Sequence, residues 1–206
     1  MIRFQSYTKT LLADLYTPVG IYMRLRDLYP QSALMESSDY HDASNSSSFI
    51  GIYPLGSVAI SHGKAILSMP DGATITHTVN NTYRCDNAIN QFIHAIKVTG
   101  DGSQYCGLYG YTAFNAVRYF ENIAVKDTTM QKNDAPDMLY ILYRDIIVFD
   151  HFNNKMTLVT LVPQNNDAEA MKAAGEEALH HLETAINRQS VKPYAFHPVG
   201  NYTSPL

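Results

Sequence analysis

The stretch Leu34-Met35-Glu36-Ser37-Ser38 carries the most specific chemistry in the chain. Glu36 stands where an apolar strand breaks into a polar loop, so its carboxylate lies at the mouth of the core and can receive an ammonium group. Ser37 adds a hydroxyl and a backbone N–H that suit a carboxylate. A zwitterion such as an amino acid meets both. The same residues also describe a solvated Glu at a strand end with Ser opening a turn, and the residues alone leave both readings open.

The other chemically suggestive groups read as structural. Asp150-His151 closes an apolar run, but neighbours on a strand face opposite sides, so the pair makes no dyad and His151 is expected at the rim of the sheet. Arg118 and Glu121, at i and i+3, can pair on a short helix. His180-His181 point in different directions from the polar side of a helix and do not make a metal site. Gly107-Leu108-Tyr109-Gly110 is too common a pattern for a phosphate loop and is expected where a strand approaches a helix closely. P-loop, dinucleotide, His-Glu-x-x-His, Cys-x-x-Cys and Gly-x-Ser-x-Gly signatures are missing. No residue is assigned a catalytic or metal-binding role, and the residues describe a binding or regulatory module.

The elements that must position Glu36 follow from periodicity. The first clear one is a helix after Thr17-Pro18, a cap followed by proline, with Ile21, Tyr22, Leu25, Leu28 and Tyr29 at helical spacing and Pro30 as its end. Ala33 to Glu36 and Phe49 to Tyr53 read as strands around the polar loop Ser37 to Ser48, and Pro54 to Gly56 as a turn. His62-Gly63 joins Val58–Ser61 to Lys64–Met69 in a hairpin, and Pro70-Asp71-Gly72 leads to Ala73–Val79.

Asp86 is expected to cap a helix with Ala88, Ile89, Phe92, Ile93 and Ile96 on one stripe, closed by Gly100-Asp101-Gly102. Tyr105–Tyr111 is a strand, followed by a Thr112-capped helix with Phe114, Val117 and Phe120 inward. Val125–Asp134 is a hydrophilic linker. Met138–Tyr143 and Ile146–His151 are apolar on consecutive positions, as in central strands covered on both faces, and Asn153-Asn154 turns into Lys155–Val162. A helix from about Asp167 to Arg188 places Met171, Gly175, Ala178, Leu182 and Ile186 on one stripe. The expected fold is α+β, with antiparallel sheets packed against outer helices.

Composition excludes other classes. The 206 residues carry 15 Lys plus Arg against 19 Asp plus Glu, with no basic cluster, so there is no electrostatic footprint for nucleic acid. With 46% apolar and 11% aromatic residues the chain can bury a core and is not of disordered composition. No apolar run approaches the about 18 residues of a membrane span, and Lys9, Thr10 and Asp14 interrupt any secretory core near Met1. Cys85 and Cys106 are too few for a disulfide framework, which fits a reducing cytoplasm. The chain has 15 Tyr and 8 Phe but no Trp.

Several stretches, in order, resemble the N-terminal domain of the anthranilate synthase component I (large subunit) family, among the chorismate-utilising enzymes. They are Thr17-Pro18-Val19 with Tyr22-Met23-Arg24-Leu25-Arg26, Leu34-Met35-Glu36-Ser37, Ser48-Phe49-Ile50-Gly51, and Gly107-Leu108-Tyr109-Gly110-Tyr111. Ala116-Val117-Arg118-Tyr119-Phe120-Glu121, Pro136-Asp137-Met138 and Val148-Phe149-Asp150-His151 continue the match.

The resemblance implies a regulatory domain over residues 1–188 and, over 189–206, a linker towards a C-terminal chorismate-binding catalytic domain. The end Tyr202-Thr203-Ser204-Pro205-Leu206 looks like a helix start left unused, so the chain is expected to be a fragment and inactive alone. In the family the whole enzyme is a lyase that makes anthranilate and pyruvate from chorismate in tryptophan biosynthesis. It uses Mg2+, and ammonia from glutamine through an amidotransferase subunit, component II. No cofactor is expected in this chain.

By resemblance, Glu36 and Ser37 contribute to a tryptophan feedback-inhibition site, with Met35 in place of a Leu and Leu139 near the same region. Where many members carry a cation just before the Ser-Phe-Ile-Gly match, this chain has Ser46-Ser47. The related aminodeoxychorismate synthase component I usually has Ser-Gly at the motif, so Glu36 favours the anthranilate branch over that alternative. A free-standing amino-acid-binding module is the other reading. A homodimer through an uncovered apolar face is also expected.

Overall fold

The computed structural model describes residues 1–36, 46–121, 123 and 135–188. Two long strands organise it. β3 (Ser47–Ser61) and β8 (Met138–Asp150) pair antiparallel over nearly their whole length, from Ser47 opposite Asp150 to Ile60 opposite Met138. On its other edge β3 carries β2 (Ala33–Met35) opposite Phe49–Gly51 and β4 (Lys64–Ser68) opposite Ser57–Ser61. β8 likewise carries β7 (Leu108–Thr112) on its first half and β9 (Lys155–Pro163) on its second. β5 (Thr74–Thr78) extends one end of the sheet, while β1 (Ile2–Leu12) and β6 (Ile96–Gly100) extend the other. The order is β5-β4-β3-β8-β9-β1-β6, with β2 and β7 off this path.

This is the α+β fold expected, with every strand pair antiparallel except β1 with β6. Helix α1 (Pro18–Leu25) has Thr17 as its cap, the hydroxyl accepting the Gly20 N–H at 3.0 Å, and it buries Pro18, Ile21 and Leu25. Helix α3 (Ala168–Arg188) begins after Asp167, whose carboxylate accepts the Ala170 N–H. Leu179, Leu182 and Ile186 of α3 join Ile21 and Leu25 over Ile50, Ile52, Ile147, Phe149, Met156 and Leu158. A second core gathers Phe4, Val58, Ile60, Leu67, Met138, Leu142 and Leu161 with Ala88 and Phe92 of helix α2 (Cys85–Ala95). The hairpin at His62-Gly63 is present, both residues at positive φ.

The structure departs from the sequence expectation in several places, five of which follow from strand pairing or local backbone geometry. β1 has no counterpart among the expected elements; its alternation is diluted because Ser6, a buried position, is polar. Pro54–Gly56 is a bulge inside β3 rather than a turn, because Pro54 pairs with Tyr143 and Gly56 with Leu142, leaving Leu55 as the extra residue. Asp86 is not the cap of α2; the residue before the helix is Arg84, whose N–H is taken by the Asn87 side chain. That helix stops at Ala95, since Ile96, Val98 and Thr99 have the β-branched pattern that pairs with Ile2–Ser6.

The fifth departure is the short helix at Phe114–Tyr119. It is 3-10, with Ala113 rather than Thr112 before it, and three residues per turn bring Ala116 and Tyr119 to the core side while Phe114 and Phe120 face out. The expected linkers at 125–134 and 189–206 lie outside the described residues.

Ile147 is fully buried in the layer under α1 and α3. Ile147→Ala is expected to lower unfolding stability by about 2–5 kcal/mol in urea titrations. Leu15→Ala, at a position 89% exposed, is expected to stay within about 0.5 kcal/mol of the parent.

Candidate functional site

The bulge in β3 opens a cleft of about 570 Å³ against β7 and the first half of β8. Its lining includes Gln31 and Ser32 ahead of β2, Ala33 at its start, Pro54–Ser57, Tyr109, Leu139 and Tyr143. Strand chemistry places each one. Tyr143 lies across Gly51, where any Cβ would collide with its ring, and its hydroxyl donates to the Gln31 carbonyl at 2.9 Å. Gly110 lies so close to the Leu139 carbonyl that a Cβ would strike it, and this lets β7 run flat against β8. The Tyr109 hydroxyl donates to the Tyr105 carbonyl at 2.5 Å, which fixes its ring against Phe49 with centroids 5.6 Å apart.

Of the residues singled out from sequence, Leu139 is half-buried and lines this cleft. Glu36 is exposed, just past the end of β2. It does not line the cleft: β2 runs from Ala33, on the cleft, to Met35 opposite Phe49, away from the bulge, so Glu36 and Leu139 are not brought together. Ser37 lies outside the described residues. The cleft's tyrosines and the bulge were not anticipated, although the Gly-Leu-Tyr-Gly-Tyr run marks where β7 passes beside Leu139.

The other singled-out groups engage neighbouring residues. His151 shares a hydrogen bond of 2.8 Å with Ser48, while Asp150 accepts from the backbone and side chain of Asn153, which hold its carboxyl below the usual range. Arg118 reaches the Asn115 carbonyl and, at 3.9 Å, Asp137, partners other than the Glu121 expected from the i, i+3 spacing. The rings of His180 and His181 are tilted 56° apart, and His181 faces Glu177 at 3.6 Å. Among the described residues, no three His, Cys, Asp or Glu side chains converge on a metal position, and no helix is long and apolar enough to cross a membrane.

Residues 32–202 match the family described as chorismate binding enzyme. The chain belongs to that family. It is 29% identical over 184 residues to anthranilate synthase component 1 of Pseudomonas putida, covering 88% of this chain and 36% of that protein. It is 29% identical over 175 residues to the Thermus thermophilus component 1, covering 82% and 35%. Among solved structures, anthranilate synthase component I from Streptococcus pneumoniae TIGR4 aligns at 18% identity with a TM-score of 0.44, over 89% of this chain and 39% of that one. This member of the chorismate-binding family thus spans little more than a third of these component I proteins.

Burial gives the site a pH signature. It pushes the phenols of Tyr109 and Tyr143 up to about 12, and that of Tyr119 as well, where donation to Asp137 adds to the effect. An unfolded chain ionises its phenols at about pH 10, so it loses protons before the folded one does. Stability is therefore expected to fall as pH rises from about 10 towards about 12. In urea midpoints measured across that range, Tyr143→Phe should show a shallower fall than the parent. The Cys106 thiol, pushed up to about 11 by burial, should react with iodoacetamide at pH 8 far more slowly than the thiol of unfolded protein.

Proposed function

We propose that this chain is the regulatory part of an anthranilate synthase component I and that the cleft at the β3 bulge takes tryptophan. The observation that supports this most strongly is the position of Leu139, on the same cleft as the segment that leads into Glu36. Tyr109 and Leu139 offer the flat and apolar surfaces an indole needs. Glu36 supplies the charge for the ligand ammonium, and Ser37 the donors for its carboxylate.

Tryptophan held here inhibits if it binds one arrangement of the whole enzyme better than another, and that difference in affinity sets the extent of inhibition. The conversion of chorismate and ammonia to anthranilate and pyruvate then belongs to a separate catalytic portion, served by a glutamine amidotransferase partner. The Mg2+ of that chemistry is then held by the same catalytic portion.

The chain contains no Trp, so ligand indole fluorescence can be followed without background. Titration of a fixed tryptophan concentration with the protein should give a saturable change. Glu36→Ala should weaken it about tenfold or more, the effect of losing one charged hydrogen bond of about 1.5–3 kcal/mol. Leu139→Asp should abolish the change with the far-ultraviolet circular dichroism preserved. A saturable change unaffected by either substitution would contradict the reading. So would anthranilate formed from chorismate and ammonium by the purified chain.

A further inference from the structure

The sheet ends on β5, whose outer edge is open: among the described residues no strand lies beyond it. The Met69 N–H donates to the Ala73 carbonyl and the Val79 N–H to the Gly63 carbonyl, each at 2.8 Å. Ile75 and His77, in the same ladder, therefore also turn their backbone groups towards β4. Thr74, Thr76 and Thr78 turn their N–H and C=O groups outward, and all three residues are exposed. The strand carries no charge, proline or bulge, the devices that usually keep sheet edges apart. At the opposite end of the sheet, β6 has Lys97 exposed and stops on Gly100 at positive φ.

The edge is complementary to itself. A two-fold axis at Thr76 sets that residue opposite its own equivalent, Thr74 opposite Thr78, and Ile75 opposite His77. The outward N–H and C=O of each threonine then meet those of another threonine in hydrogen-bonded pairs, while Ile75 and His77 take the closer, non-hydrogen-bonded positions. The His77 ring is held by stacking on Tyr83, with centroids 4.0 Å apart. Charge follows the same symmetry. Asp71 is exposed just before the Thr74 end, and Lys64, also exposed, pairs with Thr78 at the other end. The axis brings the acidic end of one copy to the basic end of the other.

We propose that β5 pairs antiparallel with β5 of a second copy of this chain, so that the two sheets join into one across a two-fold axis. The five residues of the strand span about 17 Å. That is a short edge beside the about 1,200 Å² of buried surface at which stable complexes begin, so the pairing is reversible. It does not rest on the tryptophan reading.

The test is sedimentation velocity of the whole chain from about 10 μM to about 1 mM, over which the weight-average coefficient should rise from that of a monomer towards that of a dimer. Thr76→Pro deletes an outward N–H and leaves the bonds to β4 in place. It should weaken association about tenfold or more with the far-ultraviolet circular dichroism unchanged. Thr76→Lys and Thr76→Glu each set like charges opposite one another at an exposed position and should stay monomeric, whereas their equimolar mixture should recover the dimer. A chain that remains monomeric over the whole range would overturn the proposal. So would a dimer that Thr76→Pro leaves intact, or a mixture of the two charged variants no more associated than either alone.

Discussion

The β3–β8 ladder is the constraint on which the rest of the molecule depends. Both strands are long enough to serve two half-sheets, and each lends its outer edge to two partners in line, β2 and β4 on β3, β9 and β7 on β8. The single extra residue at Leu55 bends this ladder in its middle. One face of the bend opens towards Leu139, Tyr109 and Tyr143. The other receives Tyr53, Arg144 and α3, with a second cleft between them. Both clefts thus originate in one irregularity, and adjacent residues serve them in turn: Tyr53 then Pro54, Arg144 beside Tyr143.

The two clefts share a stretch of backbone at Tyr53-Pro54. Side chains of consecutive strand residues face opposite ways, so a ligand that moves the backbone at Pro54 must also move Tyr53. Tyr53 is held at positive φ, and such a residue has a strained state to release.

The sequence disclosed those parts of the molecule whose signals are local. The cap and proline at Thr17-Pro18, the hairpin at His62-Gly63 and the α3 stripe each depend on a few neighbouring residues, and they lie where expected. What stayed hidden depends on partners far away in the chain. Ser6 is buried only because Thr99 and the strands beside it surround it, and Ile96 leaves a helix only because Ile2 offers a ladder. Pro54 and Gly56 look like a turn until Tyr143 and Leu142 are set opposite them. The same holds for the site. Glu36 stood out from its own segment and Leu139 from the family resemblance, but the Tyr109 and Tyr143 walls emerge only once β7 and β8 are paired.

The most direct test of the central claim is an intermolecular nuclear Overhauser experiment between tryptophan and the methyl-labelled chain. The account predicts contacts from indole protons to the methyl groups of Leu139 and Ile141, both on the cleft at the β3 bulge. Bound tryptophan whose indole contacts other methyl groups and neither of these would contradict it.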